Sequence, residues 1–301
     1  MDHKQQEQSL DLQAMNQAKR YMGEFASGTL WLGLAASFAF CVAVLGYAFG
    51  LIGFGMALLG ASFSTYAIYT VIHEAVHRSI QGKHRNLSWL NEGLGYLAGQ
   101  ILMIPFTVHR RSHLAHHANT NDEHADPDYA YHQVGNSIAH TFYYSVRSGW
   151  DQYSYFFYHC RSKASTSEKA KVILETALAL SWRVALVVYG SSSEMLALLL
   201  LAPIVGGVLT LYFFAYLVHK PYTNTGRWVD TGTYVFRDRW GAIVDWAWLF
   251  QNYHAIHHLY PRVPFYRYRA LFDEIENVMR AKGAPITYCT GTQPTLARIT
   301  E

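Results

Sequence analysis

Two long stretches of this chain contain no Asp, Glu, Lys or Arg: Phe25 to Ile72, and Met195 to Val218. A membrane-crossing helix needs about 20 apolar residues. The first stretch is therefore long enough for two spans, and Gly46, Gly50, Gly53 and Gly55 place a turn between them. The pattern predicts spans over residues 28–48 and 51–72, then a second pair over 172–189 and 195–218 joined by "GSSSE". A shorter uncharged segment, "GLGYLAGQILMIPFTV" (93–108), is too short to cross and is expected to be partly embedded. Residues 118–170 are polar and aromatic, with "DEHADPDY" reading as a loop. "WGAIVDWAWLF" (240–250) predicts a short apolar helix carrying one acid, and from Pro261 the chain reads as a partly helical, arginine-rich tail.

The fold expected from this pattern is all-α and integral to a membrane: about four transmembrane helices in two hairpins, with a helical cap on the cytoplasmic side. Residues 1–24 form a polar N-terminal segment with no character of a cleavable signal. Residues 25–301 form one domain, with the cap drawn from 73–171 and 219–301. Two hairpins put the N-terminus, the middle segment and the tail on one side. That side then carries every Lys and Arg except Arg183, which is expected to snorkel out of the third span. The two opposite turns carry none, so the positive-inside rule makes the large side cytoplasmic and the membrane an inner one.

Composition agrees. The chain is 51% hydrophobic and 15% charged, against roughly 25% charged in an ordinary soluble domain. A net charge of +3 does not call for nucleic acid. Cys41, Cys160 and Cys289 have no ligand spacing and imply no disulfide framework.

The candidate chemistry lies in histidine. Of 16 histidines, eight fall into three tight groups: His73 and His77 in "HEAVH", His113, His116 and His117 in "HLAHH", and His254, His257 and His258 in "HAIHH". Residues three and four apart share one face of a helix, so each group points its rings together. Each also sits at the cytoplasmic edge of an apolar segment, so the three can meet at one depth. Eight imidazoles exceed the needs of one ion, and a structural zinc site takes four ligands with thiolates preferred; the set suits two ions with positions left open. Imidazole serves Zn, Cu, Fe and Ni alike. Iron is preferred because two redox metals beside a lipid phase suit oxygen chemistry on an apolar substrate.

His219, closing the fourth span in "YLVHKPY", is a ninth candidate ligand, and His109 in "HRRSH" is an alternative to it, with a supporting role expected. Carboxylates and amides near the groups can orient a ring by accepting its second N–H. Asp245 is the first candidate because a carboxylate inside "AIVDWAW" is costly unless paired; Asn252, Glu74 and Asp126 join it.

"HEAVH", "HLAHHANTNDEHADPDY" and "NYHAIHHLYPRVPFYRY" resemble the three histidine boxes of the membrane fatty acid desaturase superfamily, in order, from residue 73 to about 270. With "VHKPY" between them, the second and third boxes most resemble the ferredoxin-dependent β-carotene hydroxylases of that superfamily. The resemblance implies a non-haem di-iron enzyme that takes O2 and external electrons to an unactivated C–H bond of a lipid. Hydroxylation of a carotenoid is the first expectation. A fatty acyl desaturase or hydroxylase is the alternative, and a non-redox metal-binding or transport protein a distant third. A ferredoxin-like carrier is expected to dock on the basic tail, at Arg262, Arg267 and Arg269.

Overall fold

The computed structural model describes residues 3–190 and 192–291. Helix α1 (His3–Met22) is followed by α2 (Ser27–Ala48) and α3 (Phe54–Val76). Next come α4 (Ser88–Leu102), α5 (Phe106–Asn119) and α6 (Ile138–Tyr155), then α7 (Thr166–Gly190) and α8, which starts at Ser193 and runs through a wide turn to His219. Short helices α9 (Gly241–Ala247) and α10 (His254–Leu259) precede α11 (Tyr268–Ala281). Four of these, α2, α3, α7 and α8, are long and apolar enough to cross a membrane.

Helix α2 lies along α3, α3 along α8, and α7 along α8. Gly206 lets α3 and α8 approach closely: a Cβ there would stand 2.6 Å from the Thr65 Cβ. The bundle core includes Phe40, Val71, Ile72, Leu198 and Leu199, while Trp31, Phe38, Leu59, Leu174 and Val184 face outward on the same helices. Large apolar side chains exposed around a bundle fit a lipid surround rather than water.

A second core has the character of a soluble domain. Ala14 and Ala18 of α1 pack with Leu271, Phe272, Ile275 and Met279 of α11 and with Tyr253 and Phe265. Here a small parallel sheet, which the sequence pattern did not predict, pairs β1 (Thr233–Phe236) with β2 (Ile286–Thr290), Thr233 opposite Ile286. These strands are four and five residues long, too short for a period-two signal to stand out.

Two sequence expectations change, and one unassigned stretch gains a helix. Segment 93–108 is two helices, because Met103 adopts a left-handed φ of 60° and Ile104, preceding Pro105, is steered out of the helical region. The polar and aromatic stretch 118–170 keeps its loop at "DEHADPDY" and beyond it forms α6, to which the sequence pattern assigns no element. Its outward residues Ile138, Phe142, Val146 and Trp150 recur every fourth position and are all exposed; such a helix mixes polar and apolar residues as interfacial helices do, so no apolar run announces it. Arg183 does not snorkel. It is 5% exposed and donates to the carbonyls of Gln100 at 2.9 Å, Ile101 at 3.0 Å and Ala179 at 3.0 Å. The last carbonyls of α4 lack intrahelical partners, and the guanidinium supplies them.

Candidate metal centre

Helix breaks aim the histidines. His73 ends α3 and His77 caps it, after which Arg78 turns the chain at φ 58°. The restart at Pro105 lets α5 run past α3, carrying His109, His113, His116 and His117. Leu249 and Phe250 both take left-handed φ values, 50° and 59°. That is uncommon for non-glycine residues, and it reverses the chain between α9 and α10 so that His254, His257 and His258 face α5.

Two clusters result. His73, His77, His113, His117 and His257 form one, and His116, His219 and His258 the other, with the candidate ligand atoms of each cluster within 4.8 Å of one another. In the first, His117 Nε2 lies 3.0 Å from His113 Nε2 and 2.9 Å from His257 Nε2. His254 Nε2 stands 3.2 Å from His219 Nε2, beside the second. His219 therefore joins the eight box histidines spatially, while His109 lies outside both clusters.

The outer nitrogens have partners. With Nε2 turned inward, Nδ1–H of His116 donates to Asp126 Oδ1 at 2.9 Å, that of His254 to Gln251 Oε1 at 2.8 Å, and that of His257 to the Tyr268 hydroxyl at 2.9 Å. Asp230 Oδ2 is 3.5 Å from His258 Nδ1. Gln251, Tyr268 and Asp230 were not singled out from sequence. Gln251 lies one helical turn before His254, and a search that far would have flagged it; Tyr268, eleven residues after His257, and Asp230 carry no local signal.

Other sequence candidates act elsewhere. Glu74 accepts from the Thr29 hydroxyl and the Phe265 backbone N–H, tying α2 and α3 to the turn before α11 rather than orienting a ring. Asp245 accepts from Asn252 at 2.7 Å and Arg269 at 2.8 Å, and Asn252 also donates to the Tyr234 carbonyl at 3.0 Å. This network fastens α9 to the sheet, and no imidazole shares it: the helix reversal at Leu249 and Phe250 turns Asp245 away from the cluster. Arg262 donates to the Gly82 carbonyl and Arg267 to Glu24. With Arg269 on Asp245, all three tail arginines are bonded within the molecule, because the tail folds back onto the helix ends.

Burial favours neutral rings. It pushes His77 and His254 down to about 3, with neighbouring imidazoles adding to the effect. His113, His117, His257 and His258 are lowered by burial first and by adjacent histidines next. His116 is the exception: burial is the largest single influence and opposes its charge, but Asp126, Asp128 and Asp230 together outweigh it and raise it. Neutral imidazole is the form that ligates metals.

These rings fit a metal pair. His73 Nδ1 and Nε2, His77 Nε2, His219 Nδ1 and His258 Nε2 are buried without hydrogen-bond partners. Buried polar atoms are rarely left unpaired, and imidazole nitrogens this close cannot all satisfy one another. Cations held between them would. An all-nitrogen donor set with no thiolate matches a redox or catalytic site better than structural zinc.

A helical protein with four membrane-length helices and a buried histidine cluster is thus defined. The chain belongs to the fatty acid desaturase family, whose profile matches residues 47–290. It is similar to an omega-3 fatty acid desaturase of the endoplasmic reticulum from Nicotiana tabacum, with 25% identity over 241 residues covering 71% of this chain. The chain spans 62% of that relative's length.

Proposed function

We propose that this protein is an O2-dependent di-iron oxidoreductase acting on the acyl chain of a membrane lipid. The observation that carries this reading is the meeting of an apolar cavity with the histidine cluster. A cavity of about 310 Å³ runs between α6 and α8, past Leu200, Pro203, Ile204 and Phe214, to Tyr69 and His113. Tyr69 and His113 also line the small pocket that reaches His73, His116 and His254. A hydrocarbon chain seated in the cavity would reach the rings without crossing water.

The eight box histidines, with His219 as ninth, would hold two iron ions, which supply oxygen activation and C–H oxidation when bound. The chain's own groups do the rest. Asp126, Gln251 and Tyr268 fix ring orientation from outside, and the walls of α6 and α8 exclude water. The basic residues cluster on one side of the spans, which supports a site facing the cytoplasm. An external electron carrier, ferredoxin-like or other, would approach by the polar cleft of about 460 Å³ lined by His117, Asn119, Asp122, Arg227, Asp230 and His258. There the rings come nearest the solvent, and the exposed Arg227, with one donor on the Leu259 carbonyl at 3.2 Å, stands beside them as a docking cation in addition to the tail arginines. Arg227→Glu is expected to raise KM for an acidic carrier about tenfold without altering iron content; an unchanged KM would exclude the cleft.

A β-carotene hydroxylase-like reading keeps the same site and changes the lipid. "VHKPY" and the residues around the third histidine group favour it. Expression in a β-carotene-producing host, with fatty-acid and pigment profiling with and without O2, separates the two. New double bonds or hydroxyls in acyl chains, absent with His257→Ala, are expected. Unchanged acyl chains beside hydroxylated pigment would transfer the assignment to the carotenoid, and no O2-dependent product at all would overturn both.

A further inference from the structure

The inner part of the cavity holds polar atoms for which metal binding has no use. His109 is 3% exposed and Tyr131 5%, and both line the cavity. His109 Nε2 and the Tyr131 hydroxyl have no hydrogen-bond partner, although buried polar groups are nearly always paired. The His109 ring is well fixed. Nδ1–H donates to Gln152 Oε1 at 2.9 Å, the ring stacks on His113 with centroids 5.4 Å apart, and Tyr69 meets it edge-on at 5.6 Å. Because the proton is on Nδ1, Nε2 presents a lone pair and accepts. A tyrosine hydroxyl both donates and accepts. The lining also carries Ser145, Ser148 and Thr210, whose hydroxyls donate to carbonyls of their own helices, and Asp128, beside His116; Leu102, Leu200, Pro203 and Phe214 make the wall facing them apolar.

We propose that His109 Nε2 and the Tyr131 hydroxyl form a recognition point for one O–H group on an otherwise apolar chain, so that the cavity takes a hydroxylated lipid chain in preference to a plain one. The ligand hydroxyl donates to His109 Nε2 and accepts from Tyr131. A plain methylene at that place leaves both protein atoms unpaired, which is the arrangement that discriminates most strongly against an analogue lacking the hydroxyl. Since His109 stacks on His113, the anchored oxygen lies one ring from the first cluster, and the carbons beside it are those delivered to the metals. The inference rests on reading the cavity as the lipid site.

The test is displacement of cis-parinaric acid from the iron-loaded protein in detergent, by stearate and by a series of hydroxystearates whose hydroxyl walks along the chain. At least one hydroxystearate is expected to compete about tenfold better than stearate, the effect of satisfying a buried polar pair. His109→Phe and Tyr131→Phe keep the rings and are expected to erase that preference with iron content unchanged. No preference in the native protein, or a preference that survives in both variants, would overturn the proposal. Loss of iron in His109→Phe would also overturn it, by assigning the ring to the metals. The readout does not need turnover: a preference that disappears in the variants upholds the recognition point even if no O2-dependent product forms, whereas product formation without any preference defeats it and spares the function.

Discussion

His257 is fully buried, with its ring centroid 4.0 Å from that of His73 and 4.7 Å from that of His117. It is the residue at which α3, α5 and α10 meet. His257→Ala is expected to abolish turnover and to remove at least half of the bound iron, measured by elemental analysis; full iron and turnover would contradict its place in the site. Tyr268→Phe is a subtler change. It removes only the hydroxyl that holds His257 Nδ1, and loss of such an outer partner typically costs about 10- to 100-fold in metal affinity or activity. The variant should fold, bind iron more weakly in competition with a chelator, and lose activity in proportion. At this scale the histidine spacing was readable in the chain, since residues three and four apart must share a helix face. The partners of the outer nitrogens were not: Glu74 and Asp245 stand as near in sequence as Asp126 and Tyr268 do, yet only the latter two touch a ring.

Among the elements, the breaks matter as much as the helices. Helix α4 stops at Met103 and leaves carbonyls that Arg183 of α7 satisfies. Arg183→Met keeps the length and removes the donors, so the Gln100 and Ile101 carbonyls remain buried and unpaired. A cost of about 2–3 kcal/mol is expected, seen as a lower thermal midpoint of the detergent-solubilised protein. An unchanged midpoint would mean that water reaches those carbonyls. Helix α6 shows the limit of pattern reading. Its exposed Ile138, Phe142, Val146 and Trp150 are spaced as an apolar stripe, but polar residues between them interrupt any hydropathy window. The four long helices were plain because a span must be apolar along its whole length, and their ends shifted only by a few residues.

The whole molecule joins a bundle of four membrane-length helices to a second hydrophobic core, with the imidazoles close to both. This concentration of neutral rings makes stability depend on pH. Burial holds His77 and His254 at about 3 and His109 at about 4, each down from 6.5. Unfolding frees them to take up protons below about 6.5, so the unfolded state gains protons that the folded state refuses. The metal-free protein should therefore lose stability as pH falls from 6.5 toward 4, and show no loss from this source above 6.5. Thermal unfolding of the chelator-treated protein between pH 7.5 and 5 checks this; a flat midpoint would require these rings to be hydrated.

The amino-acid order by itself determined that four segments are long and apolar enough to span a membrane, and that three histidine groups each present one face. Both follow from local geometry, the length of a helix against the thickness of a bilayer and the 3.6-residue turn. What only the tertiary structure decided is which rings share a cluster, which acids and amides hold them, and which polar atoms the apolar cavity leaves without partners. Those depend on where the chain reverses, at Arg78, Met103, Leu249 and Phe250, and a few dihedral angles there carry whole helices across one another. Contacts made that way join residues more than a hundred positions apart, and no spacing along the chain records them.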